Sequence, residues 1–196
     1  MKVRLRRISG AFTDGYALDK HSTSSVFIGY NDFGHAQYDT TRTAAGEAVF
    51  QLKYRDDFGQ VDALAKAVVR NIVPKFPNIG LVVPTPASTT RKRQPVHEVA
   101  LAVAKQMEVP LFDGLIAVSA AAANTDSLKN MNTRQEKDTA LKGRYQLNKL
   151  INNDGRWNAL VLDDLYHTGA TLDAVCSLLA QYDKIKGVYV AALTWR

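Results

Sequence analysis

Residues 159–171 read Ala159-Leu160-Val161-Leu162-Asp163-Asp164-Leu165-Tyr166-His167-Thr168-Gly169-Ala170-Thr171. Leu160, Val161 and Leu162 are consecutive and apolar, without the alternation of a half-exposed strand. They predict a strand buried on both faces of a parallel sheet. Leu172, Val175, Cys176 and Leu179 then recur at helical spacing, so the intervening loop joins a strand end to a helix N-terminus. Free backbone N–H groups and the positive end of the helix dipole meet at such a joint, a setting that favours a phosphate. Gly169 permits close approach of the backbone, and the Thr168 and Thr171 hydroxyls add donors. Asp163 and Asp164 repel a phosphate but accept hydrogen bonds from sugar hydroxyls. Phosphate donors beside a diol acceptor describe a ribose 5-phosphate site. The bland alternative is an ordinary strand–loop–helix joint with two surface acids.

Outward from that stretch, strands and helices alternate. Val61, Leu64, Ala65, Val68 and Ile72 predict an amphipathic helix ended by Pro74. Gly80 to Val83 predicts a buried strand halted by Pro84 and Pro86, and Val96, Val99, Ala100, Val103 and Met107 a second helix. Leu111 to Val118 is expected to be a strand, Ala120 to Asp126 a loop of small residues, and Ser127 to Lys142 helical in part. Gly187 to Leu193 closes the sheet. Toward the N-terminus, Val26 to Tyr30 and His35 to Asp39 flank Asn31-Asp32-Phe33-Gly34, a hairpin pattern. The expected fold is α/β, a parallel sheet flanked by helices with ligands at the strand carboxyl ends. Residues 1–50 are expected to form a β-rich N-terminal appendage or hood, and 51–196 the α/β core.

A second polar constellation runs from Pro84 through Thr85, Pro86, Ala87, Ser88, Thr89 and Thr90 to Arg91, Lys92, Arg93 and Gln94. It too follows a buried strand and precedes a helix, so it is expected beside the first loop. Hydroxyl donors followed by three cations suit a pyrophosphate, whose charge rises as it leaves. A solvated basic turn is the alternative. Lys53 and Arg55, read as ending a strand, and Lys129 and Arg134 are further basic candidates. Tyr16, Tyr30, Phe33 and Tyr38 either stack on a base or build a small core beneath the hairpin. His21, His35 and His97 lack partners at metal-ligand spacing.

With 196 residues, 46% apolar and 22% charged, the chain has the composition of one globular domain with a sizeable core. A formal charge of +6 suits a polyanionic partner, small molecule or nucleic acid. No apolar run approaches a membrane span, and Met1 to Arg7 is basic without an apolar signal core, so cytoplasmic residence is the expectation. The single cysteine, Cys176, falls on the apolar side of a helix, as a packed thiol would.

The stretch around Asp163 resembles the signature of the type I phosphoribosyltransferases: an apolar strand, two acids, then a loop of Thr-Thr-Gly-x-Thr pattern. The resemblance implies binding of phosphoribosyl pyrophosphate (PRPP) with magnesium carried by that ligand rather than by a protein metal site. It implies Asp163 and Asp164 on the ribose 2′ and 3′ hydroxyls, and Tyr166, His167, Thr168, Gly169, Ala170 and Thr171 around the 5′-phosphate. It places Thr85, Pro86, Ala87, Ser88, Arg91, Lys92 and Arg93 at the pyrophosphate. His167 departs from the pattern, standing where most members carry a Thr and purine-salvage members an acidic base. The catalytic residues are therefore undetermined, with Asp164 and His167 as candidates. Leu52 to Asp56, Val82 to Gln94 and Gln135 to Leu147 narrow the likeness to the ComF-type competence proteins, often labelled amidophosphoribosyltransferases. The four-cysteine zinc module of many such proteins has no counterpart here. Glutamine-dependent amidation, which needs an N-terminal cysteine nucleophile, is not expected where Met1 precedes Lys2. Two functions follow: transfer of the phosphoribosyl group to an unidentified nitrogen acceptor, or a binding role, either DNA uptake through single-stranded nucleic acid or PRPP sensing without turnover. A homodimer is a further expectation.

Overall fold

The computed structural model describes residues 1–87, 89, 91–119 and 143–196. Ser88, Thr90, Lys129 and Arg134, together with the expected 120–126 loop and the expected part-helical segment 127–142, lie outside the described residues.

The central sheet contains β1 (Arg6–Ile8), β2 (Asp14–Ala17), β5 (Leu81–Pro84), β8 (Trp157–Tyr166) and β9 (Ile185–Trp195), in the order β1-β2-β9-β8-β5. Its inner pairings are parallel, with Val83 opposite Val161 and Leu160 opposite Tyr189; only β1 runs antiparallel, against β2. Burial on both faces explains the unbroken apolar run in β8. Ala159 and Val161 pack with Leu172, Val175, Cys176 and Leu179 of one helix, α4 (Ala170–Ala180). Leu160 and Leu162 point to the opposite layer, built by α1 (Ala44–Tyr54), α2 (Gln60–Asn71) and α3 (Pro95–Met107). The protein is thus mixed α/β, with a mainly parallel sheet flanked by helices.

Three expectations are corrected. Residues 6–17 belong to the central sheet rather than to a separate hood, because β2 adds in parallel to β9. Only the hairpin of β3 (Ser22–Tyr30) and β4 (Ala36–Arg42) stands apart as a two-stranded sheet. Leu111 to Val118 is not one strand. Leu111 bridges Val82, the chain then turns at Gly114 with φ of 81°, and β6 (Ile116–Val118) pairs antiparallel with β7 (Tyr145–Leu147). Lys53 and Arg55 end a helix, not a strand. Thr43 caps α1 by accepting from the Gly46 N–H, and Ala45, Ala48, Val49 and Leu52 form its buried stripe.

Candidate functional site

The carboxyl ends of β5 and β8 lie side by side, so the loops after them share one edge of the sheet, where parallel sheets place their ligands. Asp163 and Asp164 sit in that edge, within β8. Thr85 Oγ1, from the loop after β5, donates to Asp163 Oδ1 at 2.8 Å, and the Asp164 N–H donates to the same oxygen at 2.9 Å. Asp164 Oδ2 is ion-paired with Lys53 Nζ, delivered by the last turn of α1. The Arg91 guanidinium donates to the Lys53 carbonyl and lies 4.0 Å from Asp56. Residues from three distant parts of the sequence therefore converge on two adjacent carboxylates.

Burial, and next the Asp164 carboxylate, raise the Asp163 pKa to about 7; the Thr85 and backbone hydrogen bonds and Lys53 oppose the rise. Burial alone would lower the Lys53 pKa, but Asp164 more than offsets it and the ammonium is held above its ordinary value. Behind the pair, Thr194 Oγ1 donates to the Asp164 carbonyl at 2.9 Å and contacts His21 Nδ1 at 3.2 Å. Since the Thr194 hydroxyl proton is already used, His21 Nδ1 carries the proton in this contact. Burial, then Arg196 and Arg42, lower the His21 pKa.

The loop after β8 closes on α4. Gly169 is the helix N-cap at φ of 82°, the left-handed region, and has no side chain with which to cap the helix. Thr168 Oγ1 accepts from the Ala170 N–H at 3.4 Å, and the Tyr166 hydroxyl donates to the Ser9 carbonyl at 3.0 Å. Asp173, in the first turn of α4, accepts from the Ala11 N–H at 2.7 Å, tying the N-terminal segment to the same joint. His167 lies at an exposed position within this loop. The buried Tyr145, whose pKa burial raises, interacts with Arg144, Asp163 and Thr171.

The three consecutive cations of the second loop have separate fates. Arg91 turns inward to Lys53. Lys92 is exposed. Arg93 forms a two-bond pair with Glu98 at 2.8 and 3.1 Å and stacks over Phe58. Thr85 is buried and points into the site. Of the aromatic candidates, Tyr16 packs against Phe76 within the core layer, whereas Tyr30, Phe33 and Tyr38 are exposed, so among the described residues there is no small core beneath the hairpin. His97 contacts Asp113 at 3.2 Å and His35 is exposed. Cys176 is buried and its thiol pKa is pushed far up by burial. The Lys53–Asp164 pair and the Thr194–His21 support escaped sequence reasoning, because both are contacts between residues more than a hundred positions apart. A basic residue on the last turn of an amphipathic helix was the one available signal for Lys53.

No protein-family model matches the chain, and no curated protein does either. Solved structures with a related arrangement include a hypoxanthine phosphoribosyltransferase from Staphylococcus aureus, at 16% identity and a TM-score of 0.41, over 67% of this chain and 61% of that one. The matched region thus spans less than two thirds of the Staphylococcus protein. The adenine phosphoribosyltransferase of Saccharomyces cerevisiae aligns at 14% identity and a TM-score of 0.43, over 85% and 83% of the two chains. That of Leishmania donovani aligns at 12% identity and 0.48, over 96% and 73%.

Proposed function

We propose that the protein binds PRPP and transfers its phosphoribosyl group to a nitrogen acceptor, releasing pyrophosphate. The observation that carries this reading is the Asp163–Asp164 pair, hydrogen-bonded to the β5 loop through Thr85 and followed within a few residues by the N-terminus of α4. Asp163 and Asp164 would accept the ribose hydroxyls. The segment Tyr166 to Thr171 would receive the 5′-phosphate on the first-turn N–H groups of α4 and the Thr168 and Thr171 hydroxyls. The loop after β5, from Thr85 through Arg91 and Lys92, would hold the pyrophosphate. Charge builds on the departing pyrophosphate oxygens, so cations fixed in advance on that side lower the barrier.

The donor set fits magnesium arriving on the ligand. Adjacent carboxylates offer hard oxygens, while no group of three His, Cys, Asp or Glu side chains converges into a cage among the described residues. When bound, magnesium supplies charge neutralisation to the pyrophosphate. Glutamine is not the proposed nitrogen source, because the Cys176 thiol is buried and its pKa is pushed far up. The finer ComF-type reading stays with the motifs that suggested it. Among the described residues no helix is long and apolar enough to cross a membrane, and we place this activity in the cytoplasm.

Calorimetric titration with PRPP, with and without magnesium, tests the proposal. Saturable binding is expected, weakened at least tenfold in the Asp164→Asn, Thr168→Val double variant, because charge-assisted hydrogen bonds contribute about 1.5–3 kcal/mol each. Equal affinity in that variant would remove the site from the argument. Binding without pyrophosphate release in the presence of ammonia or nucleobases would assign the PRPP-sensing role instead.

A further inference from the structure

Among the described residues ten large apolar side chains are exposed, and six of them, Val26, Phe27, Ile28, Tyr30, Phe33 and Tyr38, lie on the β3–β4 hairpin at 48% to 85% exposure. Phe27 packs edge-on against Tyr30 and Tyr38, with ring centroids 5.2 and 5.7 Å away, and alternation puts Val26 on the other face. Both faces of the hairpin are therefore apolar and both are open. A lone two-stranded sheet is marginal in water, and each strand keeps one unpaired edge. Apolar exposure on this scale marks an interaction surface.

Charge selects the occupant. The hairpin, residues 22–42, contains Asp32 at its tip, Asp39 and, at its base, the single cation Arg42, a formal −1, so with +6 for the whole chain the remainder carries +7. A polyanion such as nucleic acid, or an anionic membrane, is the wrong partner for an acidic hairpin. A basic protein surface is the right one, and the hairpin's own base supplies it. There a groove of about 250 Å³ is lined by Lys20, Ser22 to Ser25, Trp195 and Arg196. Arg6 stacks on the Trp195 ring at 4.1 Å and Lys20 lies 5.7 Å from it. Among the described residues neither Arg6 nor Lys20 has a carboxylate partner, and the buried Trp195 Nε1–H has no acceptor. Nine extended residues of β3 carry the tip roughly 30 Å from this groove, so Asp32 and Phe33 cannot fold back onto it. In a two-fold dimer with the hairpins lying antiparallel, each tip arrives at the other chain's groove.

We propose that the β3–β4 hairpin is a dimerisation arm whose partner is a second copy of this chain. The aromatic faces of the two arms pack together, and Asp32 and Phe33 of each tip dock at Arg6, Lys20 and Trp195 of the other subunit. The proposal does not depend on PRPP binding.

Sedimentation equilibrium of the full chain across protein concentrations is the test. A dimer is expected, weakened at least about hundredfold by Phe27→Ser with Tyr38→Ser, since each side chain is used twice in a symmetric interface. Asp32→Lys, at an exposed tip, is expected to weaken it about tenfold and keeps the test open if the aromatic variant does not fold. Mixing Asp32→Lys chains with Arg6→Glu, Lys20→Glu chains should restore dimerisation as a heterodimer, because both reciprocal contacts then pair opposite charges. A monomer at all concentrations, a dimer indifferent to the hairpin variants, or failure of the charge exchange to restore association would each overturn the proposal.

Discussion

Asp163→Asn separates stability from function at the centre of the site. The folded chain holds the Asp163 proton up to about pH 7, whereas the unfolded chain releases it near the ordinary carboxyl value of 3.8. Between those values the folded state binds more protons than the unfolded state, so stability falls as pH rises from about 4 to 7 and stays reduced above it. Three pH units at about 1.36 kcal/mol each bound the penalty at about 4 kcal/mol. Water reaching the partly exposed carboxylate reduces this, and about 2 kcal/mol is the expected net effect. Asparagine stays neutral, and its carbonyl oxygen can still accept from Thr85 Oγ1 and the Asp164 N–H. The variant should therefore be more stable than the wild type at pH 8, by about 4–8 °C in thermal midpoint for a chain of this size, and nearly equal to it at pH 4. The lowered His21 pKa makes stability fall on the acid side in both proteins and cancels from the difference. The measurement is thermal unfolding by circular dichroism across pH 4–8, paired with PRPP titration of the same samples. A constant offset between wild type and variant at every pH would refute the reasoning, since it would mean that the carboxyl carries no burial penalty.

Other outcomes follow from the same geometry. Arg91→Ala should weaken PRPP at least fivefold while leaving ribose 5-phosphate nearly unchanged, whereas Arg93→Ala, which breaks the exposed Glu98 pair, should change neither by more than about twofold; competitive titration distinguishes them. Gly169→Ala should cost about 1–2 kcal/mol in denaturant unfolding, because φ is 82° and the new Cβ would lie 3.2 Å from the Tyr166 ring. Lys53→Met should leave the partly buried Asp164 without its cation, lowering the thermal midpoint at neutral pH, and should weaken PRPP binding.

The layers of this fold were legible wherever one periodicity dominated. Leu160 to Leu162 announced a strand buried on two sides, and the helical stripes of α2, α3 and α4 lie where their spacing put them. Residues 6–17 were not legible as core strands, because β1 and β2 are only three and four residues long and β2 earns its place through pairing with β9 at the far end of the chain. The Leu111 to Val118 strand failed at Gly114, whose left-handed conformation breaks an apolar run that composition alone leaves continuous. At the site, the sequence placed both loops and both carboxylates, since each motif is local. It could not pair Lys53 with Asp164 or separate Arg91 from Arg93, because those outcomes depend on which side chains other elements place beside them.

The contacts around Lys53 tie the two loops into one unit. Two adjacent carboxylates, partly buried, cannot both stay ionised without a cation, and the last turn of α1 supplies it. Arg91 donates to the backbone carbonyl of this lysine, so the second loop helps position the cation that faces the carboxylates of the first. A sugar hydroxyl that hydrogen-bonds to Asp164 must share or displace the Lys53 ammonium. The displaced charge stays beside the Arg91 loop, where a polyanion gains from it. Sugar and polyanion on one ligand would then bind cooperatively, whereas either alone would leave a buried charge poorly matched. On the proposed function, this arrangement would favour a ligand that carries both groups on one molecule, and Lys53, on a helix outside either motif, would be the residue that joins their energetics.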